Sequence, residues 1–226
     1  MIHDVNTDID DFVRLVHADC PGGLDSLKKR AVIQAMIEFF KKTYAWREFV
    51  EQSAYVDYFN PEFDVSTVIR TVVPGAAVVS VDDVWLSSDT QRLKKLARAE
   101  MDKNNPDWRK NTADKPRGYF FGPGKRLRVY PVPKKDAGFI DLDIEFVLLP
   151  TMDMTRFPDF VYEMYGETIA AGAAQRLKSQ PYMPWTDPQQ AQFFFKKFDA
   201  GVREARMDQA RQVARAINEK RRRSFR

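Results

Sequence analysis

Cysteine and histidine are nearly absent: Cys20, His3 and His17 are the full complement in 226 residues. A single thiol excludes an intramolecular disulfide and agrees with a reducing compartment. His17 and Cys20 form a lone H-x-x-C that lacks two further ligands for a structural zinc site, so a helix-end histidine and a buried thiol account for the pair. No apolar run approaches the roughly 20 residues that cross a bilayer, and no membrane span is expected. The N-terminus, MIHDVNTDIDDF, is acidic and has no basic region ahead of an apolar stretch. This argues against a signal peptide and predicts that the protein stays in the cytosol where it is made.

Catalytic signatures are missing as well. There is no G-x-S-x-G, no Walker A loop and no dinucleotide fingerprint, and Gly122-Pro123-Gly124 reads as a turn because no helix opens after it. The paired acids Asp10/Asp11, Asp82/Asp83 and Asp141/Asp143 are of the type used for acid–base work or a hard cation. Asp141 and Asp143, however, alternate with apolar residues and should face solvent from a strand. In "RGYFFGPGKRLRVY" aromatic and basic residues interleave as they do where single-stranded bases stack, but a half-buried edge hairpin is the simpler account. No cofactor, no metal and no enzymatic activity is expected.

What the chain does have is charge at one end and strong periodicity. Between Arg203 and Arg226 nine basic residues face three acids, a net charge of about +6 in a chain whose total is +4. Such a tail is suited to solvent, to phosphates or to an acidic protein surface. Asp8 to Ala18 reads as a short helix with Ile9, Phe12, Val13 and Val16 on one face, stopped by Pro21, Gly22 and Gly23. Leu24 to about Arg47 reads as a longer helix whose apolar stripe, including Phe39, Phe40, Tyr44 and Trp46, is wide enough for burial on two sides. Lys28, Lys29, Arg30, Lys41 and Lys42 are expected to lie towards solvent.

From about Phe49 to Pro150 the pattern changes to β-branched and aromatic runs: "VSTVIRTVVPG", "AAVVSVDDVWL", "RGYFFGPGKRLRVYPVP" and "GFIDLDIEFVLLP". These read as antiparallel strands joined by hairpins, interrupted by a helix over Arg92 to Met101 and a polar surface loop over Asp102 to Arg117. After Pro158 helical spacing returns, with Phe160, Val161, Met164, Tyr165, Ile169, Gly172, Ala173 and Leu177 on one face. Pro181 to Pro184 breaks it, and Thr186 or Asp187 followed by Pro188 has the form of an N-cap with proline at the first helical position. The last helix should face Ala191, Phe195, Phe198, Val202 and Ala205 inward and continue towards Val213 and Ile217. Gly172 and Ala173 admit the neighbouring helix closely, while Trp185, Phe194, Phe195 and Phe198 fill the space around the crossing.

The predicted fold class is therefore α+β, a helical bundle formed by the N- and C-terminal segments with an inserted antiparallel β-domain. The expected boundaries are 1–48 for the N-terminal helices, 49–150 for the β-rich insertion, 151–217 for the αα-hairpin and 218–226 for a basic tail.

The ordered set of features carries more than any one of them. "DDFVRLVHADCPGGLDSLKKRAVIQAMIEFFKKTYAWRE", then "VVSVDDVWL", then "LLPTMDMTRFPDFVYEMYGETIAAGAAQRLKSQPYMPWTDPQQAQFFFKKFDAGVREAR" together resemble the head–tail adaptor (connector) proteins of tailed bacteriophages. The most specific piece leads from a P-D-x-x-x-E-x-Y helix through I-A-A-G-A and a P-W turn to Ala191, Phe198, Gly201, Ala205 and Arg206. The resemblance implies a structural virion protein of the neck, assembled in the host cytoplasm. It implies a dodecameric ring that joins the portal protein to a tail or nozzle protein, with DNA passing through without sequence-specific binding. It also implies that the C-terminal end docks on the portal, which assigns portal binding to Arg221, Arg222, Arg223, Phe225 and Arg226. The competing reading is a nucleic-acid-binding protein whose basic tail neutralises phosphates.

Overall fold

The computed structural model describes the backbone of residues 4–56, 62–88, 91–134 and 139–224, and their side chains except at 91 and 212–224. In chain order the elements begin with β1 (Val5–Asp8), α1 (Ile9–Asp19), α2 (Asp25–Thr43), β2 (Arg47–Tyr55), β3 (Glu62–Asp64), α3 (Val65–Val72) and β4 (Ala76–Leu86). There follow β5 (Gln91–Arg92), β6 (Lys94–Lys95), α4 (Arg98–Asn104), β7 (Thr112–Ala113), β8 (Gly118–Gly122), β9 (Arg126–Tyr130), β10 (Val132–Pro133) and β11 (Phe139–Pro150). β12 (Arg156–Pro158), α5 (Asp159–Lys178) and α6 (Pro188–Ser224) come last. The fold is α+β, with a helical bundle from the two ends of the chain and a largely antiparallel β-rich segment inserted between them. Contacts divide it into two compact units, Arg47–Leu148 and the N-terminal segment through Trp46 joined to the chain from Leu149 onward.

The helical unit is tied at its base by a short antiparallel pairing of β1 with β12, in which Thr7 lies opposite Phe157 and Asp8 opposite Arg156. Asp8 then opens α1 with a capping box: its carboxylate accepts from Asp10 N at 2.9 Å, and Asp11 accepts from Asp8 N at 3.3 Å. Thr7 Oγ1 donates to Asp159 at 2.8 Å, so the same tie anchors the start of α5 and holds the Asp159 carboxyl below its usual range. Behind it an aromatic core forms from Phe12 with Phe157 and Tyr162, Phe39 with Tyr165, and Phe40 with Trp46.

Two expectations for α2 are corrected. The helix ends at Thr43 and not near Arg47, because Tyr44 turns left-handed at φ 52° with its N–H on Phe40 O; Trp46 is buried beyond the helix, not on it. Lys28 does not reach solvent. It is fully buried with Nζ 2.7 Å from His17 Nδ1 and 3.5 Å from Asp25, since α1 and the first turn of α2 supply polar partners while Gly23 of the connection lies against its stem. At the other end Asp187 caps α6 by accepting from Gln189 N and Gln190 N at 3.1 and 3.0 Å. The helix then runs for 37 residues through Ser224, past the Ile217 at which apolar periodicity fades. Glu, Lys and Arg are good helix formers and need no apolar face to continue a helix.

In the β-rich unit one sheet has the order β2-β11-β4-β5. β11 runs antiparallel to β2 from Phe139 opposite Tyr55 to Val147 opposite Arg47, burying Leu142, Ile144 and Phe146. The intervening acids are used by nearby hydroxyls: Ser53 Oγ on β2 donates to Asp141, and Ser87 Oγ, just after β4, to Asp143 at 2.7 Å. The second sheet, β3-β9-β8-β6, is built on the β8–β9 hairpin, whose turn carries Gly124 at φ 73°.

Other expectations fail here for identifiable reasons. "VSTVIRTV" is the helix α3, since Asp64 caps Ser66 N at 2.8 Å and Val65 and Ile69, four residues apart, are both buried. The helix expected from Arg92 begins at Arg98, because Lys94–Lys95 pairs in parallel with β8. Not every connection is an antiparallel hairpin, for β7 and β10 also pair in parallel. The polar loop is no simple surface excursion either: Trp108 within it is buried against Phe120.

Candidate interaction surfaces

The α5–α6 crossing is a close contact made possible by small residues. A Cβ built on Gly172 would stand 2.7 and 2.8 Å from the Phe198 ring and 3.1 Å from Ala35 Cβ, while one on Gly201 would stand 2.5 Å from Thr168 Cγ2. Neither position has room for a side chain unless its neighbours move. Ala173 is fully buried beside them. Arg176 donates to Gly172 O at 2.6 Å, pairs with Glu38, and holds its guanidinium 5.9 Å from the Phe198 ring. Burial alone would raise the Glu38 carboxyl, but the Lys42 hydrogen bond at 2.5 Å and the Arg176 charge bring it below its usual range. Arg206 Nε donates to Lys42 O at 2.6 Å and fastens α6 to the end of α2.

The other residues expected at this crossing divide. Trp185 is half-buried against Gly23, with its Nε1 buried and unpartnered among the described residues. Phe195 does not face inward: it is 51% exposed, and Phe194 is buried in its stead. The inward stripe of α6 is Ala191, Phe194, Phe198, Val202 and Ala205, and a residue directly after Phe194 is rotated by about 100° to its flank.

The outward face of α6 carries apolar residues too. Phe193 and Met207 are 63% and 53% exposed, and with exposed Ala200 they recur at seven-residue spacing, the period of a helix–helix seam. Sequence periodicity could have disclosed this stripe, but the inward stripe of the same helix is stronger and absorbed the reading. Further along, the side chains of Arg221, Arg222 and Arg223 and the whole of Phe225 and Arg226 lie outside the described residues.

No described residue group resembles a catalytic set. His17 Nδ1 is engaged by Lys28, and Cys20 is buried, which raises its thiol above the usual range. Among the described residues no group of three or more His, Cys, Asp or Glu is placed to hold a metal ion. Arg47 bridges Asp82 at 3.0 Å and Glu145 at 3.4 Å on the β2-β11-β4 surface, where burial raises the Glu145 carboxyl. That cluster is a strand-to-strand brace. Among the described residues no helix is long and apolar enough to cross a membrane.

No curated protein matches the chain. The family model for the SU10 adaptor protein matches residues 5–223, which spans both the bundle and the β-rich insertion. The chain therefore belongs to the SU10 adaptor protein family, a family of phage head–tail adaptors.

Proposed function

We propose that the protein is a non-catalytic head-to-tail adaptor of the virion neck, assembled in the host cytoplasm as a ring, most simply a dodecamer, that joins the portal to the tail and surrounds the DNA exit channel. The observation that carries this reading is the mismatch between two antiparallel helices. α5 has 20 residues and α6 has 37, so about 25 Å of α6 has no counterpart in α5. A long basic helical end is of use when a second protein receives it. The outward Phe193-Ala200-Met207 stripe supports lateral packing of copies around the ring, and the β-rich unit is left for a tail or nozzle protein.

Portal docking is assigned to the segment 218–226, through Arg221, Arg222, Arg223, Phe225 and Arg226. Arginine forks suit carboxylates in bidentate pairs, and Phe225 adds an apolar anchor. The test is electron microscopy of the recombinant chain mixed with its portal, with and without Asn218 to Arg226. The truncated chain should fold and fail to dock. Full docking by the truncated chain together with lost DNA affinity at physiological salt favours the alternative, a nucleic-acid-binding protein using its basic tail.

A further inference from the structure

The β-rich unit contains a cavity of about 200 Å³ whose lining includes Glu62, Arg98, Trp108, Arg109, Arg126 and Arg128. Four arginines and one glutamate meet there around an aromatic wall. The centre is Arg128 on β9, whose side chain is only 14% exposed. Its Nη2 donates to Arg109 O at 3.2 Å, and Nη1 stands 3.6 Å from Glu62. Nε is buried and has no partner among the described residues. Burial, with the charges of Arg109 and Arg98, lowers its pKa against the pull of Glu62.

A solvated basic face is not arranged in this way. Exposed arginines diverge into water, whereas here Arg109 and Arg128 both lie over Trp108, at 4.5 and 4.9 Å from its ring. Trp108 is itself fixed by its Nε1–H on Asp102 at 2.8 Å, and Asp102 also accepts from Arg109 at 2.8 Å. The site is thus built, and it sets four arginines against two acids, Glu62 and Asp102, which also stands 3.9 Å from Arg98. We propose that this cavity receives an acidic side chain, flanked by an apolar residue, from a short segment of another polypeptide.

Three features favour a carboxylate on a peptide over a nucleic-acid backbone. Arg128 keeps one N–H, at Nε, without a partner among the described residues, and a carboxylate oxygen is an acceptor suited to it. The site is a cleft of about 200 Å³, the size of one or two side chains, and not a stripe of successive phosphate contacts. Nor is there a free tryptophan face for base stacking: two guanidiniums and Phe120, at 4.6 Å, already surround that ring. The proposal does not depend on portal docking or on ring formation.

The test uses the full chain and a blocked pentapeptide with a central Asp-Glu pair next to phenylalanine. Binding is followed by the Trp108 indole N–H resonance at physiological salt. The peptide should shift it saturably, and its Asn-Gln analogue should bind at least about tenfold more weakly. The double variant Arg98→Gln/Arg126→Gln, at exposed positions, and the separate variant Arg128→Lys should each weaken binding about tenfold with an unchanged far-ultraviolet spectrum. If Arg128→Lys unfolds, the exposed double variant carries the test alone. Equal binding of the amide analogue, or no saturable shift, overturns the proposal. So does a single-stranded DNA of about ten nucleotides that shifts the same resonance at lower concentration than the peptide.

Discussion

One methyl group added at Gly172 probes the α5–α6 crossing directly. The new Cβ would lie 2.7 Å from Phe198 Cδ2, 2.8 Å from Cε2 and 3.1 Å from Ala35 Cβ, against a favourable carbon–carbon separation of about 3.5–4.0 Å. The Phe198 ring would have to retreat by close to 1 Å, yet it is buried with Arg176 and Lys42 held over it. Overpacking of this kind costs about 1–3 kcal/mol. Replacing a mid-helix glycine by alanine returns roughly 1 kcal/mol in helix propensity. The net expectation for Gly172→Ala is a loss of about 1 kcal/mol, or about 2–4 °C in Tm for a chain of this size. The sign should reverse when the ring is removed. Phe198→Ala alone costs about 3–5 kcal/mol, but in that background Gly172→Ala should stabilise by up to about 1 kcal/mol, since the two shortest contacts of the new methyl are gone and the Ala35 contact is left at 3.1 Å. Helical ellipticity followed through thermal and urea unfolding of the four proteins gives the coupling, expected at about 1–2 kcal/mol. A Gly172→Ala protein that is more stable than its parent in both backgrounds by the same amount would refute the packing argument.

Ala173→Leu, at a position with no exposed surface, should overpack the bundle by about 1–3 kcal/mol, read as a fall in the urea midpoint. Asp187→Ala should cost about 1 kcal/mol through loss of the α6 cap, while Asp187→Asn should retain most of it; equal losses would show that the cap hydrogen bonds to Gln189 and Gln190 contribute nothing. The Trp108 hydrogen bond, followed by that from Arg109, holds Asp102 below its usual 3.8, so its contribution to stability is present above that pH and is lost as pH falls through the depressed value. Asp102→Asn should accordingly flatten part of the acid dependence of the urea midpoint below about pH 4, and an unchanged acid limb would count against that ion pair.

Local chemistry was legible in the sequence wherever one residue type decides one backbone event. The Asp187-Pro188 start of α6, the Gly122-Pro123-Gly124 turn and the alternation of Leu142, Ile144 and Phe146 all act over a few residues, and the α+β class follows from the change of period along the chain. The order of motifs also pointed to the phage adaptor family, since a sequence of turns, small-residue faces and aromatic anchors is a far more specific signal than any single one.

Tertiary structure decided what depends on partners distant in the chain. "VSTVIRTV" is β-branched throughout and reads as a strand, yet a cap from Asp64 and a buried Val65–Ile69 face make it a helix. Lys28 lies among charged neighbours in sequence, but the fold brings His17 to its ammonium and covers the stem. Phe194 and Phe195 are indistinguishable by composition, and only the position of α5 determines which of the two is buried. The arginine cavity was hidden for the same reason. Glu62, Arg98, Trp108 and Arg128 come from four separate stretches whose local patterns describe a strand, a short helix, a polar loop and a hairpin. A sequence records spacing along the chain, whereas burial and charge convergence are properties of distances in space, set by which faces the two four-stranded sheets and the four long helices present to one another within their own units.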